Sequence, residues 1–153
     1  MAHMIETMAW TGEKPWHKLG VEVESDICPA TMMQAAGLDW EVEKQPLYFD
    51  TEQGKVLVDH DALVRQSDGK VLDVVSCDWN PVQNADAIKL FEPFYDSGKL
   101  TMETAGSLQE GKIVFFLGKL DREIEVVKGD YTQLYLLLTK SKLTVTSKSA
   151  LIL

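Results

Sequence analysis

The sequence predicts an α+β fold, a mainly antiparallel sheet with two helices in the order α-β-β-β-α-β-β-β-β. Three observations lead there. Apolar and polar residues alternate over short segments. Turn signals such as Ser67-Asp68-Gly69, Glu110-Gly111 and Gly129-Asp130 separate those segments, which favours antiparallel neighbours. Helical spacing interrupts the strands only twice. At 153 residues the chain fits one domain spanning 1–153, and a chain of this size buries roughly 68–70% of its unfolded surface.

Residues 1–27 read as an irregular segment, punctuated by Gly12, Pro15 and Gly20 and anchored by Trp10 and Trp16. Pro29–Ala36 reads as a short helix, because proline suits a first helical turn and Gly37 suits its end. Trp40–Phe49 alternates Trp40 and Val42 with Glu41 and Glu43, a half-buried strand interrupted by Pro46. Val56–Val58 and Ala62–Gln66 flank Asp59-His60-Asp61, which reads as an exposed turn. The hairpin signal at Ser67-Asp68-Gly69 returns the chain as the strand Lys70–Cys77. Pro81 ends that strand, and Asn84 or its neighbour caps a helix in which Ala87, Ile88, Phe91, Phe94 and Tyr95 recur. Pro93 kinks or shortens it, and Ser97-Gly98 stops it. Strands follow at Leu100–Leu108, Ile113–Leu120, Ile124–Val127 and Tyr131–Thr139, with a turn at Asp121-Arg122.

Charge narrows the function classes. Fifteen Lys and Arg against 24 Asp and Glu give −9, a balance that keeps a chain soluble and repels duplex DNA. The charge is uneven: residues 140–153 hold Lys140, Lys142 and Lys148 with no acid, a basic tail of +3 against −12 for residues 1–139.

No catalytic motif stands out. His3, His17 and His60 fall in no HxxxH or HExxH spacing, and Cys28 and Cys77 form no CxxC, so no zinc site is encoded in the usual forms. The two cysteines read as small, reduced core residues. There is no GxSxG elbow, no GxGxxG and no P-loop. The chain therefore reads as a non-enzyme without cofactor or metal. No apolar run reaches the length of a membrane span, and no charged-then-apolar leader opens the sequence, so the expected location is the cytoplasm of a bacterial host.

Several strings taken in order resemble the DUF932 phage/plasmid-like family. They are the N-terminal Met1-Ala2-His3 and Trp10-x-Gly12-x-x-Pro15-Trp16-His17-x-x-Gly20, Ala35-Ala36-Gly37-Leu38-Asp39-Trp40-Glu41-Val42 and Ala62-Leu63-Val64-Arg65, then Pro81-Val82-Gln83-Asn84, Glu103-Thr104-Ala105-Gly106-Ser107-Leu108 and Tyr135-Leu136-Leu137-Leu138-Thr139. The resemblance spans residues 1–139 and implies a phage, prophage or plasmid origin, with no reaction attached. Where relatives continue with Asn-Ser-His-Asp-Gly, this chain has Lys140-Ser141-Lys142-Leu143, so no site built on that segment carries over. The resemblance gives Gly12, Pro15 and Gly20 the role of shaping a loop that Trp10 and Trp16 pin to the core, and His17 a hydrogen-bonded structural role.

Two functions follow as expectations. The first is a phage recombination accessory that binds or anneals single-stranded DNA as a homo-oligomer. The β-β-β-α order of residues 39–97 is similar to the core of ring-forming annealing proteins, a fold-level analogy. Lys112, Lys119, Lys140, Lys142 and Lys148 are its candidate phosphate contacts. The second is an acidic module that binds a host protein, a defence factor for example, by imitating the charge of nucleic acid. Glu22, Glu24, Asp26, Glu41 and Glu43 are its candidate contacts.

Overall fold

The structure, a computed structural model, describes residues 4–141 and the backbone of 145–151. The chain forms two compact units, one from the residues up to Asp39 together with those from Asn84 onward, the other from Trp40–Gln83. The architecture is α+β and mostly antiparallel, as the alternation predicts, but the element order differs.

In the larger unit, β1 (Ile5–Trp10) and the two-residue β2 (Val21–Glu22) come first, followed by α1 (Pro29–Ala35). The segment expected to be irregular thus contributes a strand pair. Met8, Ala9 and Trp10 are all buried in succession, so β1 lacks the alternation that marks a strand covered on one face only. α1 begins with Pro29 at its first turn, and Gly37 follows with φ +66, as the helix-end signals predict.

The second helix is two: α2 (Asn84–Ile88) and α3 (Glu92–Asp96). Pro93 has no N–H to extend the ladder. The chain crosses the break with i→i+3 bonds, Leu90 N–H to the Ala87 carbonyl at 3.2 Å and Phe91 N–H to the Ile88 carbonyl at 2.9 Å.

Four long strands complete the unit: β6 (Leu100–Leu108), β7 (Ile113–Val127), β8 (Asp130–Ser141) and β9 (Val145–Leu151). Here two expectations are corrected. The Asp121-Arg122 turn is instead a register shift between Lys119 and Glu123 inside one continuous strand. The Gln133 side-chain amide bonds the Leu120 carbonyl, and reaches the Arg122 carbonyl at 3.3 Å, satisfying groups the bulge takes out of the ladder. The basic tail contains a strand, since β9 pairs antiparallel with β8 from Lys140↔Val145 to Leu134↔Leu151. The sheet runs β2-β1-β6-β7-β8-β9, mixed because β1 and β2 are parallel.

Register sorts this sheet into two faces. Ala105, Phe116 and Leu138 lie opposite one another, as do Ser107, Val114 and Lys140, and all six are buried. The helices pack on this face, with the Phe91 and Phe116 rings 6.3 Å apart. Met32, Leu38, Ile88 and Phe91 add to the same core at 0–2% exposure, each contributing roughly 1.5–3 kcal/mol by burial.

In the smaller unit, β3 (Val42–Thr51), β4 (Gly54–Arg65) and β5 (Val71–Ser76) form an antiparallel sheet in the order β3-β4-β5. β3 runs through Pro46 with a register shift between Pro46 and Tyr48. An edge strand tolerates the missing N–H. Asp59-His60-Asp61 lies within β4, paired to β5 through His60↔Ser76 and Asp61↔Val75; it is strand, not the expected turn. The Ser67-Asp68-Gly69 hairpin forms as predicted. Asp68 accepts from Arg65 Nε at 3.0 Å and a terminal guanidinium nitrogen at 2.6 Å, and from Lys70 N–H at 3.1 Å. The guanidinium beside Asp68 holds its carboxyl down at about 2, while Gly69 takes φ +71.

Candidate nucleic-acid interface

Of the side chains that sequence reading selects for phosphate contact, Lys140 is buried and the described Lys112 and Lys119 are exposed. Lys140 sits at 9% exposure on the helix-packed face of β8. Its Nζ donates to Asn84 Oδ1 at 2.7 Å, and Asn84 Nδ2 donates to the Leu38 carbonyl at 2.9 Å. Burial pushes the Lys140 ammonium down to about 8. Asn84, expected as a helix cap, instead joins α2, β8 and the chain after α1 while itself 1% exposed. Lys112 is exposed just before β7, and Lys119 is exposed on β7. Lys142 lies outside the described residues. Lys148 pairs with Leu137 through its backbone, and its side chain also lies outside the described residues.

The face opposite the helices is built differently. Along β7 the residues alternating with Val114 and Phe116 are Ile113, Phe115, Leu117 and Lys119; across from them on β8 stand Thr139, Leu137 and Tyr135. The apolar members are half-buried, and Lys119 lies directly opposite Tyr135. Aromatic rings, aliphatic side chains and a cation thus share one sheet face. Sequence reading missed this surface because Tyr135-Leu136-Leu137-Leu138 is apolar at every position and reads as buried throughout. On β6 the same face is narrow at Gly106, where a Cβ would lie 2.6 Å from the Thr7 carbonyl oxygen and 2.9 Å from the Phe115 ring.

The carboxylates chosen as partner contacts, Glu22, Glu24, Asp26, Glu41 and Glu43, are all exposed. The first three belong to the larger unit and the last two to the smaller. Within the smaller unit Lys44 Nζ meets Asp61 Oδ2 at 3.2 Å.

Both cysteines depart from the expected core role. Cys77 is exposed and Cys28 intermediate, and neither is in a disulfide. A hydrogen bond between the Cys28 thiol and Thr31 Oγ1, 3.0 Å long, lowers Cys28, while desolvation and the Asp61 and Asp59 carboxylates raise Cys77. His17 Nδ1 accepts from Leu19 N–H at 3.1 Å, the structural role first assigned to it. Among the described residues no group of three or more His, Cys, Asp and Glu side chains is placed to hold a metal ion. No helix among them is long and apolar enough to cross a membrane. An open groove of about 380 Å³ runs beside β1 between Leu19–Val21 and Ala35–Gly37. There Glu6 Oε2 accepts from Ser107 Oγ at 3.1 Å, and Thr7 Oγ1 lies 3.0 Å from the same hydroxyl.

Residues 71–146 match the family model described as a domain of unknown function, DUF932. Over these residues the chain belongs to the DUF932 family. The match takes in the Pro81-Val82-Gln83-Asn84, Glu103–Leu108 and Tyr135–Thr139 strings. In structural terms, the DUF932 segment supplies β5 through β8, both short helices between them, the buried Asn84–Lys140 pair and the face carrying Phe115 and Tyr135. The strings before residue 71 lie outside it. No curated protein and no solved structure matches the chain.

Proposed function

We propose that this DUF932 protein is a phage or plasmid accessory factor that binds single-stranded nucleic acid, in the manner of an annealing or recombination module. The observation that supports this is the β7–β8 face, where Phe115, Tyr135 and Lys119 stand on the side opposite the helices. A sheet face with aromatics and a cation accepts unpaired bases by stacking, without reading their sequence. The −9 net charge leaves little general attraction for phosphate, so affinity must come from local surfaces such as this one. Lys112 and Lys119 give this face two phosphate contacts at most, a contribution of roughly −1.4 to the log–log salt slope.

Fluorescence anisotropy of labelled oligo-dT tests this reading. Tyr135→Ala is expected to weaken binding about tenfold, and Lys112→Ala with Lys119→Ala to flatten the salt dependence. Equal affinity for all variants would count against the face as a binding surface.

A second reading rests on the smaller unit. Trp40–Gln83 carries nine Asp and Glu against four Lys and Arg, or −5 of the total −9. Its β3–β4 ribbon also exposes Tyr48, Phe49 and Leu57 by 55%, 52% and 62%. Carboxylates around exposed apolar side chains suit a basic protein site, which fits inhibition of a host defence factor by charge mimicry. The protein is then expected to displace labelled duplex DNA from host proteins eluted from heparin, and Glu41→Gln with Glu43→Gln to do so several-fold less well. Absence of displacement by the unaltered protein contradicts this second reading.

A further inference from the structure

The loop between β1 and β2 holds Trp16 in the reverse of its expected position. Trp10 is buried at 5% exposure, whereas Trp16 is 81% exposed, so one tryptophan anchors the loop and the other is displayed by it. Both ends of the loop are fastened to the sheet. Thr11 N–H bonds the Glu103 carbonyl at 2.9 Å, Thr11 Oγ1 donates to the Met102 carbonyl at 3.1 Å, and Val23 N–H bonds the Trp10 carbonyl at 2.9 Å. At Gly20, φ +93, a Cβ would fall 2.7 Å from the Met8 carbonyl oxygen and 3.1 Å from the Trp10 ring; only glycine lets the chain return this close.

The tip is an ordered turn. Lys18 N–H bonds the Pro15 carbonyl at 2.8 Å, and the His17 ring, fixed by its bond from Leu19 N–H, meets the Trp16 ring edge-on at 5.5 Å. Trp16 is therefore presented on a pre-organised loop, which reduces the entropy lost when a ligand covers it. The local charge is also unusual. The first 39 residues contain two Lys and Arg in all, Lys14 and Lys18, and these flank Trp16 at two residues on either side. Both are exposed.

We infer that the Lys14–Lys18 turn is a base-stacking anchor for single-stranded nucleic acid, with Trp16 stacking on an unpaired base and Lys14 and Lys18 contacting the phosphates beside it. An exposed indole between two cations is the element from which sequence-tolerant single-strand sites are made. The inference rests on the single-strand reading above but names a separate surface, so the two can fail independently. Glu13, exposed beside Lys14, opposes the phosphate, and its neutralisation strengthens binding.

The test is oligo-dT anisotropy at low salt with Trp16→Ala, Trp16→Phe, Lys14→Ala/Lys18→Ala and Glu13→Gln, set against Tyr135→Ala. Trp16→Ala is expected to weaken binding about tenfold or more and Trp16→Phe to retain most of it. The double lysine variant is expected to reduce the salt slope by roughly 1.4. A thermal melt of each variant unchanged from the parent confirms that the exposed turn, and not the fold, was altered. If Trp16→Ala binds like the parent while Tyr135→Ala does not, the anchor is overturned and the sheet face stands. If the reverse holds, the anchor stands and the face falls. Failure of the parent protein to bind overturns both, and the exposed indole is then a contact for a protein partner.

Discussion

Gly106→Ala is expected to destabilise the larger unit by about 2–3 kcal/mol. The new methyl group would meet the Thr7 carbonyl oxygen at 2.6 Å and the Phe115 ring at 2.9 Å. The carbonyl is backbone in β1, and Gly106 pairs with Met8 of β1 and Phe115 of β7, so relief requires shifting a strand. Reducing unfolded-state entropy by removing a glycine returns only about 0.4–1 kcal/mol. Gly118→Ala provides the contrast. Its methyl meets Leu100 Cγ at 2.8 Å and a Leu100 methyl at 2.7 Å, so the clash is with a side chain and not with backbone; the buried leucine must shift as a whole, and the expected loss is about 1–2 kcal/mol. Urea melts of the two variants report the difference as a shift in midpoint at constant slope.

The second large effect belongs to the Asn84–Lys140 pair. Asn84→Ala removes the acceptor 2.7 Å from a buried ammonium and the donor to the Leu38 carbonyl. Losing a charge-assisted hydrogen bond to a mostly buried ammonium costs about 1.5–3 kcal/mol. The pair also gives stability an unusual dependence on pH. Lys140 falls from 10.5 to about 8 in the folded protein because burial disfavours its charged form. Between these values the unfolded chain binds more protons than the folded one, so stability rises with pH across that window. The penalty is fully present below about 8 and relieved as pH approaches 10.5, an increase of about 3 kcal/mol. Lys140→Met is expected to abolish that rise. A parent and a variant with parallel pH profiles from 8 to 10.5 would show that Lys140 is not held down by burial.

Lys140 also shows how far the sequence can be read. Leu134, Leu136, Leu138 and Lys140 share one parity along β8, so alternation alone directed the lysine inward. Grouping it with Lys142 and Lys148 as a basic tail set composition above periodicity. The hairpin at Ser67-Asp68-Gly69 and the glycine after α1 were legible because their signals are local: an Asp side chain that accepts from Arg65 and Lys70, and a residue free to take positive φ. β1 was not, because its antiparallel partner β6 lies far along the chain, and β9 was not, because little apolar alternation marks it. Ala9 finds Ala105, and the last strand has Thr146, Ser147, Lys148 and Ser149 at its centre and takes its register from β8. The bulge after Lys119 carries turn-type residues, and only the carbonyl contacts of Gln133 show that the chain goes straight on. The candidate site divides the same way. Lys119 is exposed, but its neighbour Tyr135 lies in an apolar run, and no local signal separates the buried Trp10 from the displayed Trp16.

The measurement that bears most directly on the proposed activity is a titration of labelled oligo-dT with the purified full chain, repeated from low to physiological salt. Lys140 is left intact, since its removal alters the fold and not an exposed contact. The account predicts binding at low salt that weakens gradually as salt rises and is lost on combining Tyr135→Ala with Trp16→Ala. No change in anisotropy at low salt, with the protein folded by thermal melt, would contradict single-strand binding and favour a protein partner for the acidic ribbon.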